Sequence, residues 1–352
     1  MLTAAGKVRL RRVYFVCRHC GIGEHPLDER LGVNGSLSLQ AQRMLCLAGA
    51  SWSFDCAARN LRELCGLVVS DNWIRQVCQG QAVQMERWRA SSGQERAGFQ
   101  GASGEVEFST DGTCVNTWEG WREMRVGIFC KRMRGESASV ANWDRRHLPA
   151  PEVRVAFAAV EDSHQFGRRW GQWASRLGIK DTSQVTVLAD GAAWIWEQSE
   201  LHFAGAEGVL DIYHALEHLG KTAQELYGEG TRKAEQWLAG GRTALLAGGW
   251  EGIRQYISRC RRGIRDKRRR KSLDRLEDYL RKHRKRLNYP QRLAEGRAIG
   301  SGQVEGACKH MIGRRLKQTG ARWQVSRANR MAILCAMLYS HNWDTYWATS
   351  PP

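Results

Sequence analysis

A chain of 352 residues that is 42% hydrophobic and holds fifteen Trp is long enough for two or three domains with at least one sizeable core, which excludes global disorder. Its net charge of +18 asks for a polyanionic partner, and with no amphipathic anchor in view that partner is nucleic acid rather than a membrane. Eleven Cys, odd in number and irregular in spacing, read as reduced thiols and exclude a small secreted disulfide framework.

The opening MLTAAGKVRLRRVYF has no apolar segment followed by a cleavage site, and no apolar run approaches the ~20 residues that span a bilayer. A soluble, cytoplasmic protein is expected. Residues 7–16, KVRLRRVYFV, alternate basic and apolar and read as a strand with a cationic face. They lead into Cys17-Arg18-His19-Cys20, a CxxC that supplies two of the four ligands structural zinc takes. His19 and His25 are further candidates. No second CxxC lies nearby, so residues 1–35 read either as a partial zinc-ribbon-like segment with an incomplete Zn2+ site or as a bare turn.

Residues 36–90 carry helical spacing in three blocks, LQAQRMLCLAGA, SFDCAARNLRELCG and SDNWIRQVCQGQAVQMERW. Ser53 and Ser70 stand as N-caps and Gly66 as a C-cap. Short helices joined this way resemble a helix-turn-helix DNA-binding domain; a small bundle that only packs is the alternative. Residues 88–104, polar and rich in Gly and Ser, read as an interdomain linker.

Beyond the linker the period changes to two. Glu105–Thr110 alternates and ends in Asp111-Gly112; EMRVGIFCK (123–131) and VRVAFAAV (153–160) follow at meander spacing. A helical segment, HQFGRRWGQWASRLGI, leads to the β-branched run Val185–Ala189, which delivers Asp190-Gly191 into a helix. Gly208-Val209-Leu210 then leads to Asp211-Ile212-Tyr213-His214 and a further helix. Three strands, helix, strand, helix, strand is the order of a ribonuclease-H-like α/β sheet, expected over residues 104–218. Open sheets of this kind gather their chemistry at the carboxyl ends of strands.

Residues 219–296 leave that grammar for an all-helical insertion broken by Gly pairs. Between Arg261 and Arg286 stand fourteen Lys or Arg against four Asp or Glu, a net +10. Such an excess repels itself unless something neutralises it, and phosphate does so; a solvated face is the alternative. Asn288-Tyr289-Pro290 closes the insertion, since the residue before Pro is pushed out of the α region. Residues 297–352 return as helices, the first opening near Ser301 or Gly302 with Glu305 in its first turns and Lys309 on the same face.

Three acids stand out by position: Asp111, Asp190 and Glu305, each beside small residues that let a bulky substrate approach. Three converging carboxylates raise one another's pKa unless a cation joins them. Mg2+ or Mn2+ answers that need, and a pair of such ions about 3.5–4 Å apart is the device of phosphodiester cleavage and transfer. Taken singly, Asp-Gly is an ordinary turn and Glu305 an ordinary first-turn acid.

The segments STDGT at Asp111, LADGAAWIW at Asp190, LDIYHALEHL at 210–219 and IGSGQVEGACKHMIGRRLKQTGARW at 299–323 resemble the DDE transposases of the ISKra4 insertion-sequence family, with similarity from about Val8 to Trp347. The resemblance implies that Asp111, Asp190 and Glu305 form the catalytic, metal-binding triad, and that Asp211 and His214 are accessory residues that order the site or contact the DNA end. It also implies that Arg314, Arg315, Lys317 and Arg322 contact phosphates while Trp323 stacks on an unpaired base. A solvated helix face and a core Trp are the alternatives for these five. Relatives carry a second CxxC ahead of the Cys17–Cys20 pair, which this sequence lacks.

The function expected is metal-dependent strand cleavage and strand transfer at the ends of an insertion sequence, by a homo-oligomer on paired double-stranded DNA ends. A silent transposase-derived DNA-binding protein and a ribonuclease-H-like nuclease are the alternatives.

Overall fold

The computed structural model describes residues 1–31, 33–34 and 36–349. Strands β1 (Glu105–Thr117) and β2 (Gly120–Arg132) pair antiparallel along their whole length, from Glu105 opposite Arg132 to Thr117 opposite Gly120. Gly120, at φ +97°, makes the tight reversal possible. Strand β3 (Val153–Ala159) adds antiparallel to β2. On the other edge β4 (Val185–Ala189) runs parallel to β1, and β5 (Glu207–Leu210) parallel to β4. The mixed sheet therefore has the order β5-β4-β1-β2-β3. All five residues of β4 are buried, as expected of a parallel strand covered on both faces. Strand β1 is longer than the alternation suggested, so Asp111 lies in mid-strand opposite Val126 and not at a strand end.

One face of the sheet carries an aromatic core. Phe108 of β1 and Phe129 of β2 meet Phe203 and Trp170, with Phe108 and Trp170 centroids 4.8 Å apart. Helices α5 (Ser163–Arg176) and α6 (Ala193–His202) supply Trp170 and Trp196 to this layer, with α1 to α4 lying earlier in the chain.

The opposite face is covered by the amino-terminal helices α1 (Leu39–Ser51), α2 (Phe54–Cys65) and α3 (Asp71–Ser91) together with the carboxyl-terminal helices. Ser38, Ser53 and Ser70 cap the three by accepting backbone N–H bonds, and Gly66 ends α2 at φ +65°. Residues 36–90 are nonetheless not a separate body. Leu45, Ile74 and Met85 share one core with Val115 and Val126 of the sheet and Met331 of the last long helix. Nor are residues 88–104 an open linker. Helix α3 continues to Ser91, and α4 (Gln94–Gly101) follows a Gly93 turn at φ +71°. A buried Arg89–Glu95 ion pair at 2.7 Å and the buried Phe99 ring fasten this connection.

After β5 come α7 (Ile212–Tyr227), α8 (Arg232–Arg262), α9 (Lys267–Lys282) and α10 (Tyr289–Ala294). They enclose a core of their own, with Leu219, Trp237, Leu246, Ile257, Leu276 and Leu280, continuous with Leu210 of β5. Of the Gly pairs expected to break this region, Gly240-Gly241 stays helical and Gly249 alone is non-helical, kinking α8. A Cβ at Gly249 would stand 2.5 Å from the Leu287 carbonyl. Pro290 does not end the insertion but sits in the first turn of α10, where its missing N–H costs nothing. Helix α11 (Gly302–Ala307) passes into a π-helical turn at Cys308–Gly313, and α12 (Val325–Tyr339) and α13 (Trp343–Thr349) complete the chain.

The strand expected over residues 7–16 is reduced to pairs at its ends, Gly6–Lys7 against Leu2–Thr3 and Phe15–Val16 against Gly23–Glu24. No helix among the described residues is long and apolar enough to cross a membrane.

Candidate active site

The central strand β1 presents Asp111 half-buried, one carboxylate oxygen accepting the Gly112 N–H at 2.7 Å and the other 4.0 Å from the Cys308 thiol. Burial pushes the Asp111 carboxyl above its ordinary range. The Gly112 hydrogen bond and the charge of His214 oppose that shift, while the negative charges of Asp190 and Glu305 add to it. Asp190, His214 and Glu305, dispersed over more than a hundred residues of sequence, are thus each brought within electrostatic reach of Asp111.

Asp190 leaves the end of β4. One oxygen accepts the Ala192 N–H at 2.9 Å, and the Trp196 indole holds its carbonyl at 2.9 Å. Glu305 projects from α11, 46% exposed, with the Lys309 ammonium 3.9 Å away one turn on. The Cys308 thiol, pushed up to about 12 by burial and by Asp111 and Glu305, with Lys317 opposing, stays protonated at neutral pH and is no nucleophile. The π-helical turn begins at Cys308, directly after the turn that carries Glu305. Such turns frequently accompany functional sites.

Among the described residues no three His, Cys, Asp or Glu side chains are drawn close enough to close around a metal ion. The donor chemistry nonetheless suits a hard divalent cation. Asp111 and Asp190 have no ion pair among the described residues, and each keeps one oxygen free of any backbone donor. Glu305, partly exposed and 3.9 Å from Lys309, is the third carboxylate of the set.

Asp211 is fully buried and holds two segments together. One oxygen caps α7 by accepting the Tyr213 and His214 N–H groups at 2.7 and 3.1 Å; the other accepts both the backbone N–H and the hydroxyl of Ser301. Gly300 admits this carboxylate, for a Cβ there would lie 3.3 Å from it. Asp211 has no oxygen to offer a ligand. Its role is to hold the start of α11, and with it Glu305, against the end of β5. His214 is half-exposed on the first turn of α7, 3.8 Å from Glu217, and faces the acids.

Sequence reasoning missed Tyr279. Helix α9 lays it over Asp190-Gly191, where a Cβ on Gly191 would fall 2.2 Å from its hydroxyl. The ring stacks on His218 at 3.7 Å and meets His283 at 5.0 Å, and its hydroxyl is buried with no hydrogen-bond partner. Burial and the charges of Asp190, Glu217 and Asp211 hold that phenol neutral. Spacing gave no warning, since Tyr279 shares a helix face with the buried Leu276 and Leu280 and reads as core.

The basic residues after Glu305 divide. Arg314 is exposed, and Lys317, also exposed, donates to the Thr113 hydroxyl beside Asp111. Arg322 is exposed and donates to the Thr117 and Trp118 carbonyls. Arg315 and Trp323 differ from expectation. Arg315 is 3% exposed, donates to the Gly49 carbonyl and lies between the rings of Phe54 and Trp323 at 4.6 and 5.0 Å. Trp323 is 8% exposed with its N–H on the Leu316 carbonyl. Both are withdrawn from the open surface, because Phe54 at the start of α2 packs against each of them. In the basic segment, Arg261, Arg275, Arg281 and Arg286 pair with Asp or Glu. Lys267, Arg268, Arg269 and Lys271 at the start of α9 are exposed and have no ion pair among the described residues.

Cys17 and Cys20 flank an exposed hairpin turn in which the Gly21 N–H bonds to the Cys17 carbonyl at 2.9 Å. Hydrogen bonds from the Cys20 and His19 backbone hold the Cys17 thiol below its usual range. His25 instead bonds the Val13 carbonyl at 3.1 Å, so the turn offers two sulfur ligands and no closed site among the described residues.

No protein-family model matches this chain, and no curated protein matches it significantly.

Proposed function

We propose that this chain is a ribonuclease-H-like DDE transposase of the ISKra4 kind, cutting DNA strands at the ends of its own element and joining the freed 3′ hydroxyl to target DNA. The observation that carries the reading is that Asp190, at the end of β4, and Glu305, on α11, both act electrostatically on Asp111 in mid-β1, around a sheet of order β5-β4-β1-β2-β3. Supporting it are the helical excursion between the second and third acids and the unpaired cations of α9.

Asp111, Asp190 and Glu305 would hold Mg2+ or Mn2+, which supplies activation of the attacking oxygen and stabilisation of the leaving oxygen in an in-line attack on phosphorus. The chain's own residues do the rest. Trp196 fixes the Asp190 backbone, Asp211 fixes the Glu305 helix through Ser301, and His214 adds a polar group on the same side. Lys317 is placed beside Thr113 to meet a phosphate next to the one attacked. The cations of α9 neutralise the duplex further out, which makes binding steeply salt-dependent.

The test is to incubate the protein with the DNA flanking its gene and Mg2+ or Mn2+, beside an Asp190→Ala variant, and map the nicks. Metal-dependent cuts at one defined position, absent in the variant, are expected. Binding without cutting by either form would replace this reading with the silent DNA-binding protein, and cutting of RNA–DNA hybrids in preference to the element ends would replace it with the nuclease.

A further inference from the structure

A cleft of about 310 Å3 lies away from the three acids, between α2–α3 on one side and the β1–β2 turn with the 318–324 loop on the other. Its rim carries Arg75, Arg322 and Arg327, and no Asp or Glu lines it. Trp118, at the tip of the β1–β2 turn, is 57% exposed, and the Arg327 guanidinium lies 5.9 Å from its ring centroid. A large indole held out at a turn, with a cation behind it, is a stacking platform without a partner.

The floor adds a second, independent sign. Arg315 lines the cleft and is 3% exposed, yet its Nη2 has no hydrogen-bond partner. A buried, unpaired guanidinium N–H costs free energy unless an acceptor arrives to meet it. The walls are also fixed in advance. The Trp118 backbone N–H donates to the Trp323 carbonyl at 2.9 Å, the Trp323 backbone N–H donates to the Asn116 carbonyl at 3.0 Å, and Arg322 donates to the turn carbonyls.

From these observations we infer that the cleft binds one unpaired nucleobase of a DNA strand, stacked on Trp118 with an acceptor on its edge meeting Arg315 and its phosphates meeting Arg75, Arg322 and Arg327. The volume is at the small end of ligand cavities and suits one flat heterocycle, not a duplex. Three cations without an acid exclude a cationic or acid-seeking ligand, and an exposed indole suits any base because every base has a π face. The position fits a strand that also reaches the acids. Asp111 and Thr117 are six residues apart on one extended strand, roughly 20 Å. At 3.4 Å per nucleotide that is about six base steps from the phosphate under attack. Lys317 on Thr113 lies between the two.

The inference rests on the reading of the chain as a DNA-handling protein, but its test needs neither metal nor cutting. Binding of a fluorescein-labelled single-stranded oligonucleotide, and of the same sequence as a blunt duplex, is followed by anisotropy for the full chain and for Trp118→Ala and Trp118→Phe. Trp118 is exposed, so its replacement leaves the fold in place. Expected is a loss of single-strand affinity of roughly tenfold in Trp118→Ala, largely restored in Trp118→Phe, with duplex affinity within about twofold of wild type. An unchanged single-strand affinity, or an equal loss on the duplex, overturns the inference. Metal-dependent nicking with no Trp118 effect defeats this inference alone, whereas stacking without nicking defeats the proposed activity alone.

Discussion

Removing the Asp211 carboxylate tests the seam on which the Glu305 helix depends. In Asp211→Ala, α7 loses its N-cap, which costs about 0.5–2 kcal/mol. The Ser301 N–H and hydroxyl, buried with a residue exposure of 6%, lose their acceptor, at about 1–3 kcal/mol for each buried group left unpaired. The total is about 3–5 kcal/mol, since the small cavity lets water satisfy part of the loss. Asp211→Asn keeps an oxygen for the α7 cap but turns an amide N–H2 toward the Ser301 N–H. The serine hydroxyl can rotate to accept from it while the backbone donor cannot, so this variant loses about half as much. Urea unfolding followed by Trp fluorescence reads both, with strand nicking measured alongside. Both variants are expected to lose nicking out of proportion to the fraction unfolded, because α11 is no longer registered against β5. An Asp211→Ala protein within about 1 kcal/mol of wild type, nicking normally, would refute the argument.

The remaining predictions concern packing around the same region. His283, buried against Tyr279, Trp196, His218, Lys282 and Arg286, is held down to about 4 by burial first and by those cations second. Below the ordinary His value of about 6.5 the unfolded chain therefore takes up a proton that the folded chain refuses, so stability falls as pH drops from there to about 4. His283→Phe should flatten that acid limb by up to a few kcal/mol in thermal denaturation; an unchanged limb speaks against the assignment. Gly191→Ala drives a methyl against the Tyr279 hydroxyl and should cost about 1–3 kcal/mol in urea unfolding. Tyr279→Phe, which removes a buried hydroxyl without a partner, should be neutral alone and recover part of the Gly191→Ala loss. Arg315→Ala should lose about 2–4 kcal/mol of stability through its Phe54 and Trp323 packing, whereas exposed Arg314→Ala should stay within about 0.5 kcal/mol and weaken DNA binding only. Equal stability for the two would contradict the burial difference.

What was legible in the sequence was whatever local pattern decides. The β-branched run at Val185–Ala189, Ser53 and Ser70 before two helices and Gly66 after one each act within a few residues, and the corresponding elements lie where spacing put them. Asp111 and Asp190 were marked by small neighbours. Their coupling to Glu305 is a matter of sheet order, which periodicity does not encode. The illegible parts were tertiary. Residues 88–104 look like a linker by composition, yet Arg89 and Glu95 neutralise each other in the interior, which only a fold can arrange. Arg315 reads as a phosphate ligand beside Arg314, and only the placement of α2 decides that one is buried and the other not. Tyr279 has the spacing of a core residue and is one, but its core happens to be the turn that carries Asp190.

The same Asp211–Ser301 seam bears on how the chain can fold and change. The Ile212 N–H meets the Ile299 carbonyl at 3.0 Å, so the 86 residues between them depart from the sheet and return to their point of departure. Closing a loop of that length costs about 4 kcal/mol beyond a constant, and doubling it would add only about 0.6. The excursion offsets that cost with its own core of Leu219, Trp237, Leu246 and Ile257. Lengthening, shortening or exchanging its outer helices therefore leaves the sheet and the seam nearly untouched. The basic surface and the three acids can drift independently, with Tyr279 over Gly191 as the point where a change in one is felt by the other.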